Sequence, residues 1–314
     1  MNPLRDGLET YLALRRALGT ELRDPGVRLH HFVEFLEREG VGVITAELAL
    51  RWATASSGVS SATWAQRLGD VRRFATWLSA ADPRTEIPSP ALLSERWRRR
   101  PPYIYSDDEV AHILREAARL PSPLGLRAQT YETLFGLLAT TGLRLGEALG
   151  LDRDDVDLSS GVLAVRRTKF GKSRFVPVHN STRRALRRYV RQRDLLFPRP
   201  TSPAFLISER GTRLTHSIAE HTFAVVSRIV GLRAPAGGRR GRGPRLHDMR
   251  HRVAVKVLIR WYRQGRDVER ELPKLSTYLG HVHVADTYWY LEAVPELLHL
   301  ATERATSSSQ REAQ

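Results

Sequence analysis

Residues 140–147, Thr140-Thr141-Gly142-Leu143-Arg144-Leu145-Gly146-Glu147, close a nearly all-apolar helical run and open another helix across a sharp corner. Gly142 is the residue type that takes the left-handed conformation ending a helix. Arg144 then stands at the start of the next helix, with Glu147 three residues on and on the same face. On an open surface such a pair contributes little. In a cleft the carboxylate fixes the guanidinium, ready for an anion. Around this corner the apolar spacing predicts helices over 106–120, 126–141 and 144–150, the first opened by a capping box of Ser106 and Glu109. The β-branched runs 162–167 and 174–178, joined by Thr168-Lys169-Phe170-Gly171-Lys172-Ser173, read as a hairpin, and 204–207 as a further short strand. Helices follow over 181–195, 215–230, 247–263, 274–280, 285–291 and 294–303. The fold class is mainly α with a small antiparallel sheet, an α+β arrangement.

Two more segments carry chemistry. His247 and Arg250 stand three apart at a helix start, so both face one side. Arg offers a planar fork to two phosphate oxygens and His a proton donor or acceptor near neutral pH. Further on, Leu279-Gly280-His281 precedes Asp286-Thr287-Tyr288-Trp289-Tyr290-Leu291. On a helix, positions 288 and 290 face nearly opposite ways, so only one phenol enters a given site; Tyr288 is assigned to packing. A metal hydrolase is a competing reading, because His247, Asp248 and His251 spell HDxxH and His281-x-His283 lies downstream. The zinc-protease helix has Glu where Asp248 stands, and Asp is one methylene short.

The first hundred residues read as a helical bundle. Leu8, Leu12, Arg15 and Leu18 share a face widened by Tyr11 and Leu14; His31, Phe32, Phe35 and Leu36 form a second, and Leu48, Leu50 and Trp52 a third. A fourth helix over 61–78 buries Trp64, Leu68, Val71, Phe74, Ala75 and Leu78, leaving Arg67, Arg72 and Arg73 on its other face. Proline-rich DPRTEIPSP (82–90) and RRRPP (98–102) interrupt the helical pattern, with room for a short helix over 91–99. The expected organisation is a bundle over 1–97, a linker over 98–104, a larger domain over 105–304 and a disordered tail over 305–314.

Fifty Lys plus Arg against 34 Asp plus Glu leave a formal charge of +16, and only four of the fifty cations are Lys. Such an excess favours a polyanionic partner. There is no Cys, which excludes disulfides, zinc fingers, iron–sulfur clusters and thiol nucleophiles. No apolar run is long enough to span a membrane and no signal-peptide layout is present, so a cytoplasmic, nucleoid-associated protein is expected. Residues 234–245, APAGGRRGRGPR, hold four Arg and four Gly without an acid, a composition suited to a phosphate backbone.

Taken together, the segments resemble the tyrosine recombinase (phage integrase) family of site-specific DNA recombinases. The boxes are TGLRxxE over 141–147, HxxR at His247 and Arg250, and LGH at 279–281 with Tyr290 nine residues beyond the histidine. A hairpin lysine ahead of a basic residue and a Val-Pro strand completes the pattern; counting back from Val176-Pro177 selects Lys169, with Lys172 its neighbour. The resemblance covers about residues 105–300, and the 1–97 bundle corresponds in position to a core-binding, DNA-binding domain. It implies that Arg144 and Arg250 clamp the scissile phosphate, with Glu147 supporting the former. Tyr290 attacks phosphorus to give a 3′-phosphotyrosine, Lys169 protonates the leaving 5′-oxygen, and His247 and His281 assist. It further implies no cofactor, a homotetramer on two DNA sites, and in some members accessory recombinases or residence on a transposon. Phosphate contacts are expected from Arg98, Arg99, Arg100, Lys172, Arg239, Arg240, Arg242 and Arg245, and base reading from Arg67, Arg72 and Arg73. A DNA-binding protein that has lost catalysis is the other competing reading; the complete residue set favours the enzyme.

Overall fold

Side-chain caps set several helix starts. Thr45 accepts from Leu48 N–H at 3.2 Å and Ser60 from Thr63 N–H at 3.3 Å, while Ser106 and Glu109 exchange two bonds at 2.7 and 3.0 Å. The structure, a computed structural model, describes residues 3–93, 102–166, 173–234, 243–281 and 283–312, with backbone only at 291–293 and 304–312. Arg98, Arg99, Arg100, Lys169, Lys172, Arg239, Arg240 and Arg242 lie outside the described residues, as does the start of the expected linker. The chain divides into two compact units, Met1–Arg100 and Pro101–Gln314.

The first unit holds α1 (Pro3–Ala17), α2 (Arg23–Arg38), α3 (Ala46–Thr54) and α4 (Ser61–Leu78). Leu8, Leu12, Phe32, Leu36, Leu68 and Phe74 fill its core. Two expectations fail on α1: Leu14 and Leu18 are exposed, Leu18 because the helix ends at Ala17. In α3 the fully buried residues are Ala49 and Ala53, with the larger Leu48, Leu50 and Trp52 packed at the core's edge. A 3-10 turn, Pro90–Leu93, opens the stretch where a short helix over 91–99 was expected; residues 94–99 lie outside the described residues.

The second unit begins with α5 (Asp107–Ala117), α6 (Arg127–Thr141) and α7 (Leu145–Gly150). A three-stranded antiparallel sheet follows, β1 (Val156–Asp157), β2 (Val162–Val165) and β3 (Arg174–Pro177), in the order β1-β2-β3 with Leu163 opposite Val176. Then come α8 (Asn180–Leu196), α9 (His216–Ile229), α10 (Leu246–Arg263), α11 (Val268–Leu279), α12 (Ala285–Ala293) and α13 (Pro295–Glu312). The two-residue β1 is too short for alternation to reveal it. The expected strand over 204–207 makes only isolated bridges, Asp152 with Ala204 and Ile207 with Arg213. Its four side chains are fully buried, so apolar packing holds the segment.

Two further corrections concern the C-terminal helices. The helix expected from 274 starts at Val268, where Asp267 accepts from Arg270 N–H at 3.2 Å; Pro273 sits inside and removes one backbone donor without ending the helix. The segment expected as a disordered tail is helical to Glu312, since no Gly or Pro occurs between 301 and 312. Among the described residues no helix is long and apolar enough to cross a membrane.

Candidate active site

Helix α10 threads two apolar clusters. Leu246 and Met249 belong to the cluster built on α5, α6, the sheet, α8 and α9, and Ala254, Val255 and Leu258 to that of α11, α12 and α13. Between these levels it carries His247, Arg250 and His251, so side chains from either cluster can meet there.

The α6–α7 corner supplies the first group. Gly142 ends α6 at φ +65°, and Arg144 starts α7. Glu147 Oε2 accepts from Arg144 N–H at 2.9 Å, and its Oε1 accepts from Arg144 Nη1 at 2.9 Å. The same carboxylate accepts from Arg174 of β3 at 3.0 and 2.8 Å, so it is bridged by two guanidinium groups. Arg174 Nε donates to the Tyr278 carbonyl at 2.8 Å, and Arg144 Nη2 to the Gly280 carbonyl at 3.0 Å. Corner, hairpin strand and the end of α11 are thereby tied at one point. Burial alone would raise the Glu147 carboxyl, but hydrogen bonds from Arg174 and the Arg144 N–H, with both positive charges, hold it below its ordinary value.

Arg250 is 2% exposed. Its Nη1 donates to the Gly142 carbonyl at 2.9 Å, while Nη2 is buried with no hydrogen-bond partner. Burial first, and repulsion from Arg144 second, pull this guanidinium down to about 10, leaving it charged at neutral pH. A buried, half-satisfied guanidinium beside a second cation is a site prepared for an anion.

Tyr290, on α12, is 2% exposed, and Tyr288 is 43% exposed. The helix thus turns one phenol inward and leaves Tyr288 on the surface, outside the site. The Tyr290 hydroxyl lies 3.0 Å from His251 Nδ1. The His281 ring stacks on Tyr290, 6.3 Å between centroids and 24° from parallel, with its Nδ1 2.7 Å from Thr287 Oγ1. His247 is exposed and packs edge-on against His251 at 4.8 Å. Desolvation by surrounding protein and nearby Arg charges lower His247 and His281 to about 4, and burial with its neighbour His247 lowers His251 to about 3. All three are neutral at pH 7.

The structure therefore brings together Arg144, Glu147, His247, Arg250, His281 and Tyr290, drawn from four segments. Arg174 and His251 join them without having been singled out as site residues. Arg174 is the basic residue ahead of the Val-Pro strand, and His251 follows His247 by one helical turn as the last letter of HDxxH. Among the described residues no three His, Asp or Glu side chains are arranged to hold a metal, and HDxxH here serves packing and the phenol contact.

The expected DNA contacts fare differently. Arg67 lies over Trp52 at 5.9 Å and donates to Ser56 Oγ at 2.8 Å, and Arg72 donates to the carbonyls of Pro88 and Ser89 at 2.7 and 3.1 Å. Arg73 donates to Asp70, a buried carboxylate also held by Arg28 at 2.6 Å. These three brace their own unit. Arg245 bonds Asp248 at the start of α10, with its side chain mostly exposed.

The phage integrase family model matches residues 105–296. The chain belongs to the phage integrase family. It is thereby a tyrosine recombinase, an enzyme of DNA strand cleavage and religation. This integrase is 47% identical over 308 residues to y4rB of Sinorhizobium fredii, provisionally named an integrase/recombinase, covering 97% of both chains. It is 30% identical over 321 residues to tyrosine recombinase XerC of Mycobacterium sp. (strain JLS), covering 97% of this chain and 99% of that one. In fold it is similar to the Tn1549 transposon integrase in complex with transposon right end DNA, TM-score 0.66 at 16% identity, over 98% of this chain and 99% of the other. The XerH site-specific recombinase bound to its difH substrate gives TM-score 0.62 at 17% identity, over 88% and 77%.

Proposed function

We propose that this integrase is a site-specific DNA recombinase that cuts and rejoins strands through a 3′-phosphotyrosine on Tyr290, with neither metal nor ATP. The observation supporting this most directly is the buried Tyr290 hydroxyl beside Arg250, whose Nη2 lacks a partner. A phosphodiester entering there meets the Arg250 fork and, from the α6–α7 corner, Arg144. Both cations oppose the charge that develops on the non-bridging oxygens.

The Tyr290 oxygen attacks phosphorus, and the bond to the 5′-oxygen breaks. Lys169, from the β2–β3 connection, is the acid assigned to that oxygen. The phenol must shed its proton during attack, because its ordinary pKa is near 10. Neutral His247 and His281 are available to bind the phosphate and move protons. The phosphotyrosine conserves the energy of the broken bond, so an incoming 5′-hydroxyl reverses the step without ATP.

The partners are double-stranded recombination sites, held by a homotetramer on two sites, with accessory recombinases where a target requires them. A mobile-element role fits the likeness in fold to a transposon integrase. Phosphate contacts from Arg98, Arg99, Arg100, Lys172, Arg239, Arg240, Arg242 and Arg245 belong to the same proposal.

The test is covalent capture on a nicked suicide duplex, with sites first selected from a random duplex library. A protein–DNA adduct that survives denaturant and excess chelator, vanishes in Tyr290→Phe and persists in Tyr288→Phe is expected. An adduct retained by Tyr290→Phe rejects the nucleophile; binding without any adduct favours a silent DNA-binding protein. Loss on chelation favours metal chemistry.

A further inference from the structure

We propose that His251, through Nδ1, is the base that accepts the Tyr290 proton as the phenol attacks DNA. The proposal rests on the phosphotyrosine reading above and assigns the proton transfer to one atom.

One contact carries the assignment. Tyr290 Oη is 3.0 Å from His251 Nδ1, within the reach required of a general base. On the far side of the ring, Nε2 faces Asp248 Oδ1 at 3.9 Å, beyond hydrogen-bond reach, and that oxygen accepts from Arg245 Nη2 at 3.0 Å. For Nδ1 to accept, the ring proton must sit on Nε2, and that tautomer is the one a carboxylate facing Nε2 favours. Nucleophile and base are thus within hydrogen-bond reach of one another, as in other activated hydroxyl sites.

Neither of the other histidines is so placed. The His281 ring is roughly parallel to the phenol with centroids 6.3 Å apart, and its Nδ1 is engaged with Thr287. His247 meets His251 edge-on, one residue further from the hydroxyl. Among the described residues, the charged and titratable groups facing His251 are His247, Asp248, Arg245 and Arg250 from α10 and Tyr290 from α12. The ring is neutral at pH 7, so its acceptor nitrogen is empty before attack. A phosphate seated on Arg250 adds negative charge nearby and raises the ring's proton affinity for the step.

The balance is simple. The Tyr290 O–H bond breaks and its proton passes to His251 Nδ1 while the oxygen forms its bond to phosphorus. The bond from phosphorus to the 5′-oxygen breaks, its electron pair leaves with that oxygen, and the acid assigned above protonates it. Religation runs the same transfers backwards, so His251 returns the proton to the departing phenolate.

Adduct formation is measured in single turnover at saturating suicide DNA for the wild type, His251→Gln and His251→Ala, each checked for folding by its melting curve. His251→Gln is expected to form the Tyr290 adduct about 10²–10⁴-fold more slowly at neutral pH. Its rate should climb about tenfold per pH unit as hydroxide replaces the missing base, with DNA affinity retained. Added imidazole should restore part of the rate to His251→Ala, which has space for it, and not to His251→Gln. A substrate with sulfur at the 5′-bridging position, whose leaving group needs no acid, should leave the deficit in place. A His251→Gln rate within threefold of wild type, or a deficit that the sulfur substrate erases, overturns the role of His251 while the phosphotyrosine reading stands. Absence of a wild-type adduct, or an adduct in Tyr290→Phe, overturns that reading instead.

Discussion

Glu147 shows how one carboxylate can organise a cationic site. It is buried, and both of its oxygens are shared between Arg144 and Arg174. Replacing it with Ala leaves two adjacent guanidinium groups without a counter-charge. Glu147→Ala is expected to lose about 3–5 kcal/mol, read from chemical denaturation of the second unit. Adduct formation should fall with it, because Arg144 loses the group that aims it. Its depressed carboxyl value also has a pH consequence: the stability it adds is present above the ordinary 4.5 and disappears as pH falls through the folded-state value. His251 acts in the same direction for a different reason. Its value, about 3 against the usual 6.5, means the unfolded chain binds a proton between those pH values and the folded chain does not. Folding stability should therefore drop as pH falls from about 6.5 towards 3, by on the order of 2–4 kcal/mol from this residue. His251→Gln should flatten that part of a melting-temperature profile; an unchanged profile would assign the acid sensitivity to other groups.

Among the elements, the helix ends position the chemistry. Gly142 ends α6 at φ +65°, and a Cβ there would stand 3.1 Å from Leu279 and 3.3 Å from Val253. Gly280 ends α11 at φ +73°, and a Cβ would come within 2.6 Å of Arg174 Nη1. Each glycine thus meets a backbone requirement and a close approach together. Gly142→Ala is expected to cost at least 1 kcal/mol and to slow adduct formation by shifting the Arg144 corner. Gly280→Ala should instead displace Arg174 and, through Glu147, weaken the hold on Arg144. Normal adduct rates in both would show that the corner tolerates such shifts. Helix α13 has a structural role within its own unit, because Leu297 is fully buried in the cluster that holds Tyr290, and Arg263 pairs with Glu296 at 2.8 Å. Leu297→Ala should cost about 2–5 kcal/mol, measured by denaturation. Leu297 is thus satisfied within its own unit, whereas Leu298 is exposed.

Over the whole molecule, the surplus of positive charge is divided between structure and solvent. Arg28, Arg67, Arg72, Arg73, Arg174, Arg193 and Arg252 are committed to carboxylates, carbonyls or rings within their own units. A net charge of +16 therefore overstates how many cations are free to meet DNA. If Arg239, Arg240 and Arg242 touch phosphates, replacing all three should lower the salt dependence of binding by about one unit of log–log slope per contact, equally on all sequences. Replacing Arg72 should lower stability of the first unit with little change in that slope. A slope unmoved by the triple replacement would remove Arg239, Arg240 and Arg242 from the DNA contacts.

The order of the boxes, the helical bundle, the capped helix starts and the hairpin strands were legible in the sequence. They depend on spacings of two to nine residues, where backbone periodicity decides which side chains share a face. That Tyr288 and Tyr290 face opposite ways belongs to that local class; which of them turns inward does not. The partner of each polar side chain was not legible. His251 meets Tyr290 across 39 residues, Arg174 meets Glu147 across 27, and Arg72 is taken up by carbonyls 16 and 17 residues away. Such contacts arise only when separate elements pack, because burial of apolar faces decides which helices lie together and so which donors and acceptors must satisfy one another. The sequence by itself determined the family and its reacting residue types; the tertiary structure decided which histidine faces the phenol and which arginines remain for an anion.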